Sequence, residues 1–418
     1  ANVNEILKDG GRSSASAGRF HVRRALVAAE FALALTLLAG GGLAVHSLMN
    51  LTRVDLGFQT KNLLVFQLPI PDDRFAQPDQ VSAFHDQLID RMNEVPGIRS
   101  LSASTGMPVR GTNFGMPFFV AGKPVGDPSK RPGAGFNMVS ARYFETFGIP
   151  IVRGRAFTEA DRAGTQPVMI VNETFVTRYL AGVDPLQQRI VVEQLIPGVT
   201  KLGPGIEWQI VGIARNVKNA GPRENGFPEM DVPLAQSPWP GVTIAVRAAA
   251  DPLALQRSLA DKIRAVDPDL PMVGAQTMQQ IVDDSISGDR FKTVLFSSFA
   301  VLALVLAGLG IYGVMSFLVV QRTHAIGLRM ALGAERGRVE SQVLKEGMLS
   351  ALIGVGAGLI GAYLVGRAMR GMWFGVGAFD PVAFMGVALV LLVSALLACV
   401  LPARRAASVD PLIALRQE

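Results

Sequence analysis

The chain has 418 residues, of which 49% are hydrophobic and only 18% are charged, and its formal net charge is +6. Because soluble domains carry about 25% charged residues, the composition excludes an ordinary soluble protein and predicts a membrane protein with a sizeable polar part. The basic residues cluster beside apolar segments, which favours membrane orientation over nucleic-acid binding, and the single cysteine, Cys399, excludes an intrachain disulfide.

The N-terminal residues 1–24 are polar, with five Lys or Arg residues and a Gly/Ser-rich segment, and predict a flexible cytosolic linker. Residues 25–50 follow as an apolar segment long enough to cross about 30 Å of hydrocarbon. Glu30 lies near its cytosolic end, where the carboxylate either snorkels to the interface, pairs with a nearby arginine or contacts another helix. His46, near the opposite end, is expected at the membrane interface.

A long polar-to-mixed region, residues 51–290, alternates predicted strands and helices. A strand–helix–strand pattern covers residues 63–105, and the same pattern recurs over residues 242–275. The two β-α-β units predict one ferredoxin-like α+β subdomain built from both ends of the region. Residues 106–240 are richer in Gly and Pro and predict a second, inserted subdomain.

Three further apolar segments occupy the C-terminal part of the chain. The stretch Thr293 to Val320 runs for 28 residues without a charge, so this helix is longer than a bilayer requires and is expected to tilt or to project. In the next segment, Gly354-x-x-x-Gly358 and Ala357-x-x-x-Gly361 predict small faces for helix packing.

The distribution of basic residues predicts the topology. The segments 1–24, 321–346 and 402–418 contain 13 Lys and Arg residues, whereas the short external loop 367–380 contains two. Because short Lys/Arg-rich loops remain in the cytoplasm, both termini are predicted to be cytosolic and the region 51–290 to be extracytoplasmic.

The expected fold class is an α-helical membrane protein with four transmembrane helices and one large extracytoplasmic α+β domain. In chain order the predicted parts are a cytosolic linker (1–24), transmembrane helix 1 (25–50), the extracytoplasmic domain (51–290, with an inserted subdomain of about 106–240), transmembrane helix 2 (291–320), a cytosolic coupling loop and helix (321–343), transmembrane helix 3 (344–366), an external loop (367–380), transmembrane helix 4 (381–401) and a cytosolic tail (402–418). In the external loop, Met372-Trp373-Phe374 predicts an aromatic belt at the interface.

The stretch Gln321 to Val339, between the second and third apolar helices, is basic, with four arginines opposed only by Glu335. Its middle contains no proline and places Ile326, Met330 and Gly333 on one helical face, which predicts a short helix across the ends of two spans. The residues alone leave two interpretations open. The segment is either a solvated basic loop that only sets the topology, or a docking helix for a cytosolic partner.

Motifs for catalysis, phosphate binding and metal ligation are absent from the sequence. The chain has no G-x-x-x-x-G-K-[ST] loop, no H-E-x-x-H and no G-x-S-x-G. Its four histidines are scattered, and the paired carboxylates Asp72-Asp73 and Asp283-Asp284 are expected to be solvated. The predicted spans lack central charges, so an ion or proton relay is not expected. The sequence therefore does not predict an enzyme, a bound cofactor or a metal site.

The layout of one span, a large external domain and three further spans resembles that of a known group of proteins. Together with the motif Arg-x-x-x-Ile-Gly-x-Arg-x-Ala-x-Gly-Ala at residues 322–334, it resembles the FtsX/MacB-type permeases of the type VII ABC transporter superfamily. The external region resembles the MacB-like periplasmic core domain. Supporting stretches lie at residues 139–144, 148–150, 153–157, 171–173, 310–315 and 402–407, so the resemblance covers nearly the whole chain.

The opening segment and its Gly/Ser-rich linker further resemble the junction inside duplicated "orphan" permeases described from acidobacteria. In those proteins two such modules are fused in one chain. On this resemblance the present chain is expected to be the C-terminal half of a duplicated permease.

The family resemblance implies a mechanism. A cytosolic ABC ATPase dimerises on ATP and pushes on the loop helix, and the long second span relays the motion to the external domain, for efflux or for lipoprotein and envelope traffic. ATP is then bound by a separate ATPase subunit, and no substrate passes through the spans.

The resemblance also implies the residues that couple this chain to the ATPase. Ile326, Met330 and Leu332 are expected to pack into a groove of the ATPase, and Arg322 and Arg329 to pair with its acidic rim. The full set of expected coupling residues is Arg322, Ile326, Gly327, Arg329, Met330, Leu332, Gly333 and Ala334. Family members often carry Arg-Glu before Ile-Gly, whereas this chain has His324-Ala325.

The expected partners are the ATPase, a second permease module (a fused twin or an identical copy), the lipid bilayer and a periplasmic adaptor or envelope protein, without nucleic acid. The expected location is the bacterial inner (cytoplasmic) membrane, as a multi-pass protein. Two alternatives remain. One is a non-transporting envelope regulator whose external domain binds an extracytoplasmic protein partner, and the other is a membrane-anchored enzyme with a polar cleft in residues 51–290.

Overall fold

The computed structural model describes residues 3–112, 114–123, 127, 130–332, 335–377 and 380–408. The chain divides into two compact units. The helical unit consists of Ala1–Arg53 and Gly288–Glu418, and the sheet unit consists of Val54–Ser287.

Ten α-helices and eleven β-strands lie in the described part of the chain. The helices are α1 (Val3–Thr52), α2 (Pro78–Asn93), α3 (Tyr143–Phe147), α4 (Glu173–Tyr179), α5 (Gln256–Val266), α6 (Met278–Ser285), α7 (Ser287–Gln321), α8 (Thr323–Ala331), α9 (Arg336–Ala368) and α10 (Pro381–Ala407). The strands are β1 (Leu63–Leu68), β2 (Ile98–Ser104), β3 (Phe114–Val120), β4 (Gly133–Val139), β5 (Ile151–Gly154), β6 (Val168–Asn172), β7 (Arg189–Glu193), β8 (Gly205–Ala214), β9 (Glu229–Pro233), β10 (Val242–Ala248) and β11 (Val273–Thr277).

The two ends of the sheet unit form a ferredoxin-like subdomain, as predicted. Its four strands are ordered β11–β1–β10–β2 and all pair antiparallel, and α2 and α5 supply the crossovers of two β-α-β units. Both helices are amphipathic. Leu88 and Met92 of α2 and Leu259 and Ile263 of α5 are buried in one hydrophobic core, because their 3- and 4-residue spacing places them on one helical face.

Six of the seven strands between β2 and β10 form a closed ring, and β5 pairs with β8 outside it. Hydrogen-bonded pairs run β4–β3–β7–β8–β6–β9 and return from β9 to β4. This six-stranded ring lies within the predicted inserted subdomain, and a single pair, Ser104 with Val139, joins it to the ferredoxin-like sheet. Closure leaves these strands without a free edge. Alternate side chains such as Phe136, Trp208 and Met230 fill the interior.

Polar side chains are buried on the opposite face of β4 and β9. Asp231 Oδ1 accepts a hydrogen bond from Asn137 Nδ2 at 3.3 Å, and Glu229 Oε2 accepts one from Asn219 Nδ2 at 2.7 Å. Burial raises the pKa of Glu229 to about 7. Burial, and then the nearby charge of Glu229, hold the pKa of Asp231 well above its ordinary value. Each amide donates to one oxygen of its carboxyl partner, but burial still disfavours ionisation of both carboxyl groups.

Among its described residues, the helical unit contains four helices that are long and apolar enough to cross a membrane, which agrees with the four predicted spans. They are Arg24–Thr52, Ser287–Gln321, Arg336–Ala368 and Ala383–Ala407. Helix α1 continues N-terminally to Val3, so the prediction of a flexible segment over residues 1–24 is corrected for its described residues. No proline lies between Val3 and Thr52, and the glycines there weaken a helix by only about 1 kcal/mol each.

Two glycines of α9 lie against the backbone of α1. A Cβ added at Gly354 would lie 2.7 Å from the carbonyl oxygen of Ala28, and one at Gly358 would lie 2.9 Å from that of Ala32. The predicted small face Gly354-x-x-x-Gly358 therefore packs on another helix. The second predicted face does not pack as a unit, because Ala357 is exposed.

The connection between α9 and α10 is bound to the end of α1. His46 Nδ1 lies 2.5 Å from Asp380 Oδ2, and Ser47 Oγ accepts a hydrogen bond from the backbone N–H of Phe374 at 2.8 Å. Trp373 is buried, with its ring 5.5 Å from that of Phe296. The prediction that this aromatic residue forms an interfacial belt is corrected, since its side chain packs inside the helical unit.

We expect Gly354→Ala to destabilise the helical unit by about 1–3 kcal/mol, because a methyl group at this position overpacks the contact with α1. Gly356→Ala is the matched control on the same helix, where an added Cβ meets nothing within 4 Å. Thermal unfolding of both variants in nanodiscs measures the difference. Equal midpoints would show that the contact of α1 with α9 is not tight.

Because Glu229 is buried, we expect the free energy of unfolding to fall as pH rises. Its folded-state pKa of about 7 lies above the ordinary value of 4.5, so the folded state holds a proton that the unfolded state releases between these two pH values. The wild-type chain should lose up to about 3 kcal/mol across this window. Glu229→Gln should lose less stability than wild type between pH 5 and pH 8, as measured by tryptophan fluorescence during unfolding, and the loss that remains is that of Asp231, whose pKa is also raised. The exposed Asp72→Asn is the control and should behave as wild type.

Candidate functional site

The predicted coupling segment forms a short helix between two long ones, as the proline-free pattern indicated. Helix α7 ends at Gln321, the backbone bends at Arg322 (φ −103°, ψ 8°), and α8 follows over nine residues. A side-chain hydrogen bond spans this junction of α7 and α8. The Thr323 hydroxyl donates to the carbonyl oxygen of Val319 at 3.0 Å. Leu332 (φ −84°, ψ 11°) ends α8. Two of the predicted coupling residues, Gly333 and Ala334, lie outside the described residues.

One face of α8 is buried within this chain. Ile326 is 8% exposed and packs with Val319 of α7, Val339 of α9 and Ala406 of α10. Met330 is half-buried against the same cluster, and the backbone of Gly327 is buried beside them. A small apolar cavity of about 170 Å³ lies beneath this face. Apolar packing thus attaches α8 to three other helices.

Two polar contacts hold α8 at its ends. Arg322 Nη1 donates to both carboxylate oxygens of Glu346 on α9, at 2.8 and 2.9 Å. Arg329 Nη1 donates to Gln342 Oε1, one turn earlier on α9, at 3.3 Å. The charge-assisted contact is the stronger of the two. Because both of its members are partly exposed, solvent screening limits its contribution to about 1 kcal/mol or less.

The other face of α8 is exposed and carries two large apolar side chains. Leu328 is 47% exposed and Leu332 is 80% exposed, and their spacing of four residues places them one above the other. Arg329 lies beside them and is also exposed. We call Leu328, Arg329 and Leu332 the outer face of α8. A single exposed leucine has no special meaning, but a pair on one helical face offers a contact surface.

The structure changes the roles expected for the coupling residues. Ile326 was expected to enter a groove of the ATPase, but its side chain is covered by its own chain. Arg322 was expected to meet an acidic rim, but it pairs with Glu346. An apolar spacing of i, i+4 identifies a buried face without identifying what covers it. Leu332 and Arg329 remain on the exposed side.

Sequence reasoning missed three residues of this site. Leu328 could have been found, since it precedes Leu332 by one helical turn. Glu346 and Gln342 could not, because their contacts with Arg322 and Arg329 depend on how α7, α8 and α9 pack. Residues 402–407, predicted to belong to the cytosolic tail, continue α10. There Arg405 Nη1 donates to the Tyr312 hydroxyl of α7 at 3.0 Å.

Comparison with known proteins identifies two family models in this chain. The model described as FtsX-like permease C-terminal matches residues 297–411. The model described as MacB-like periplasmic core domain matches residues 32–263. Together these matches cover most of the sheet unit and most of the helical unit, and leave residues 264–296 between them unmatched.

Curated relatives are export proteins of bacteria. The macrolide export ATP-binding/permease protein MacB of Neisseria meningitidis serogroup A is 27% identical over 241 residues, which is 54% of this chain and 34% of that protein. The pyoverdine export ATP-binding/permease protein PvdT of Pseudomonas fluorescens is 26% identical over 344 residues, which is 78% of this chain and 48% of that protein. The chain thus spans about half or less of the length of these relatives.

Among solved structures, the periplasmic region of MacB from Actinobacillus actinomycetemcomitans is 13% identical to this chain. The alignment covers 54% of this chain and 92% of that one, with a TM-score of 0.35.

We expect the ion pair of Arg322 with Glu346 to protect the backbone of α8 from hydrogen exchange. Glu346→Arg places like charges together and should speed exchange in residues 323–331 by roughly threefold to tenfold. The charge swap Arg322→Glu with Glu346→Arg should restore much of the protection. Hydrogen–deuterium exchange with mass spectrometry measures both, and Glu340→Arg on the same helix is the control. A charge swap that exchanges as fast as the single variant would contradict the pair's role.

Proposed function

The chain belongs to the family of FtsX/MacB-type ABC transporter permeases, and on that premise we propose that it couples a cytosolic ATPase mechanically to its extracytoplasmic domain. The observation that carries this proposal is the two-sided build of α8. Its inner face is fastened to α7, α9 and α10, and its outer face exposes Leu328 and Leu332. A partner bound to the exposed apolar face can displace such a helix. The helices packed on its other face then move with it.

The proposed orientation places α8 in the cytosol and the sheet unit outside. Exposed Arg329, Arg336 and Arg338 lie in or beside the connection between α7 and α9, and short basic connections remain cytosolic. The outer face of α8 then meets the ATPase. Leu328 and Leu332 take the apolar role first expected of Ile326, and the three exposed arginines supply the positive charge.

Helix α7 is the proposed transmission element. It has 35 residues and spans about 50 Å at 1.5 Å per residue, against about 30 Å of hydrocarbon. In the chain only Ile286 separates its first residue from α6 of the sheet unit. A displacement of α8 acts on α7 through Ile326 and Val319. Work is then done outside the membrane, without passage of a substrate between the spans.

Export of a compound, or traffic of a lipoprotein or another envelope component, is the proposed outcome of this work. Relatives named for macrolide export and pyoverdine export support the first class. The working assembly contains the ATPase and a second permease module, either a fused twin or an identical copy. A periplasmic adaptor or envelope protein completes it.

A second candidate function is a non-transporting envelope regulator. It is favoured by the residues His324-Ala325, where the family resemblance leads one to expect Arg-Glu. Without that carboxylate, the chain lacks one contact through which related permeases are expected to meet an ATPase. In this alternative the sheet unit binds an extracytoplasmic protein, and α8 has no energetic role.

Purification of the full chain from its native host tests the proposal. Wild-type chain in nanodiscs should bring an ABC ATPase with it. Leu328→Asp with Leu332→Asp should lower the recovered ATPase at least tenfold, because two leucines of an apolar contact together contribute about 3 kcal/mol or more. Quantitative mass spectrometry of the purified material measures the ratio.

The matched control is Val152→Asp with Val199→Asp, which makes the same chemical change at two exposed valines of the sheet unit. It should leave ATPase recovery unchanged. Equal recovery from wild type and the Leu328/Leu332 variant would remove the outer face of α8 from the coupling site. Absence of an ATPase from wild-type material that does contain an extracytoplasmic partner would favour the regulator.

A further inference from the structure

A polar cleft lies in the sheet unit, between α2 and the strands of the ring. Its volume is about 430 Å³, which falls within the range of about 300–1,000 Å³ found for small-molecule sites. One wall is the face of α2 that contains Ser82, His85 and Asp86. The opposite wall includes residues 139–142, 157–159, 161–162 and 233–235. None of these residues belongs to the coupling site.

His85 is a buried hydrogen-bond acceptor in the wall of this cleft. The residue is only 4% exposed, and its Nε2 lies 3.0 Å from the carbonyl oxygen of Pro240, outside the cleft lining. Since a carbonyl only accepts, Nε2 carries the proton. Burial lowers the pKa of His85, which favours the neutral ring, and in the neutral ring with Nε2 protonated Nδ1 presents a lone pair. That nitrogen has no hydrogen-bond partner among the described residues.

Ser82, one turn earlier on α2, also has a side chain without a hydrogen-bond partner among the described residues. Its hydroxyl oxygen is buried. Leaving a buried polar group unpaired costs about 1–3 kcal/mol, and buried polar groups in folded proteins are ordinarily paired. Two such groups in one cleft wall indicate that a donor completes them from the cleft side.

The charges of the cleft favour a cation. Four carboxylates and two guanidinium groups line it. Asp161 is neutralised by Arg155 in a bidentate pair at 2.7 and 2.8 Å, and Arg142 is neutralised by Glu145 at 2.9 and 3.0 Å. The remaining lining charges are those of Asp86, Asp90, Glu159 and Arg162. The local balance is therefore negative.

We propose that this cleft binds a small organic cation that carries N–H donors, such as a primary ammonium compound. Its N–H groups donate to His85 Nδ1 and Ser82 Oγ, and its charge is balanced by Asp86 and Asp90 on the same helix. A quaternary ammonium ion has the charge but no donor, and a neutral alcohol has a donor but no charge. Within the described residues, no group of three His, Cys, Asp or Glu side chains is arranged to hold a metal ion.

This site is independent of the coupling of α8 to an ATPase. It requires only the sheet unit's own residues, and either proposal can fail without the other. The ligand class follows from two unpaired acceptors and a local excess of carboxylates.

Isothermal titration calorimetry on the full chain in nanodiscs of zwitterionic lipid tests the proposal. The probes are 1,4-diaminobutane, tetramethylammonium and 1,4-butanediol. We expect 1,4-diaminobutane to bind and each of the other two to bind at least tenfold more weakly. The proposal is overturned if wild-type chain binds none of them at millimolar concentration, or if tetramethylammonium binds as well as the diamine.

Variants locate the binding. His85→Gln retains an N–H that can reach the Pro240 carbonyl but removes the ring acceptor, and it should weaken diamine binding at least tenfold. Asp86→Asn with Asp90→Asn should do the same, whereas Asp73→Asn, at an exposed carboxylate outside the cleft, should not. Unchanged binding in both cleft variants would exclude this cleft as the site. The comparison of the three probes uses unaltered chain and holds even where a variant does not fold.

Discussion

The close approach of α1 and α9 is the contact on which the helical unit depends. Helix α1 is separated from α7 by the whole sheet unit along the chain, so nothing local returns it to the other helices. In a lipid environment no hydrophobic force distinguishes a neighbouring helix from a lipid chain, and association relies on van der Waals packing. Gly354 and Gly358 allow the two backbones to touch. Without Cβ atoms, contact extends along two turns.

The same unit presents α8 as a fastened element rather than a free loop. Ile326 and Met330 pack inward and Arg322 is committed to Glu346. Residues that an alignment of motifs would assign to a partner are thus used to hold the helix in place. What remains for a partner is smaller and differently composed, namely Leu328, Leu332 and exposed arginines. The residues of a family motif can therefore be those that anchor a helix to its own chain, rather than those that contact a partner.

The architecture was predictable from the sequence where the signal is local. Amphipathic spacing predicted α2 and α5, and two β-α-β patterns predicted the ferredoxin-like order of their strands. Apolar length predicted the four long helices, and Gly354-x-x-x-Gly358 predicted a packing face. Each of these signals lies within one short, continuous stretch of the sequence.

Features that depend on distant partners were not predictable. The ring closes when β4 pairs with β9, as in the pair of Gly135 with Glu229, and strand periodicity does not identify the neighbour. Tryptophan is a residue type found at membrane interfaces, so the sequence predicted an interfacial position for Trp373. In the structure the ring of Phe296 packs against it. Arg322 finds Glu346 only because the cluster of Val319, Ile326 and Val339 brings the end of α7 and the start of α9 together at α8. The sequence thus predicted the short helix of the candidate site, but not that Ile326 and Arg322 contact their own chain.

Two groups of buried polar residues in the sheet unit differ in one respect that bears on function. Glu229 and Asp231 are buried, and the protein itself supplies each with an amide donor, from Asn219 and Asn137. His85, in contrast, is buried with Nδ1 unpaired at the wall of a cleft. A satisfied polar cluster constrains the packing of a core, whereas an unsatisfied acceptor favours whatever donor can enter. The first group therefore belongs to the stability of the ring. The second places a binding function on the face of α2 that the ferredoxin-like core leaves uncovered.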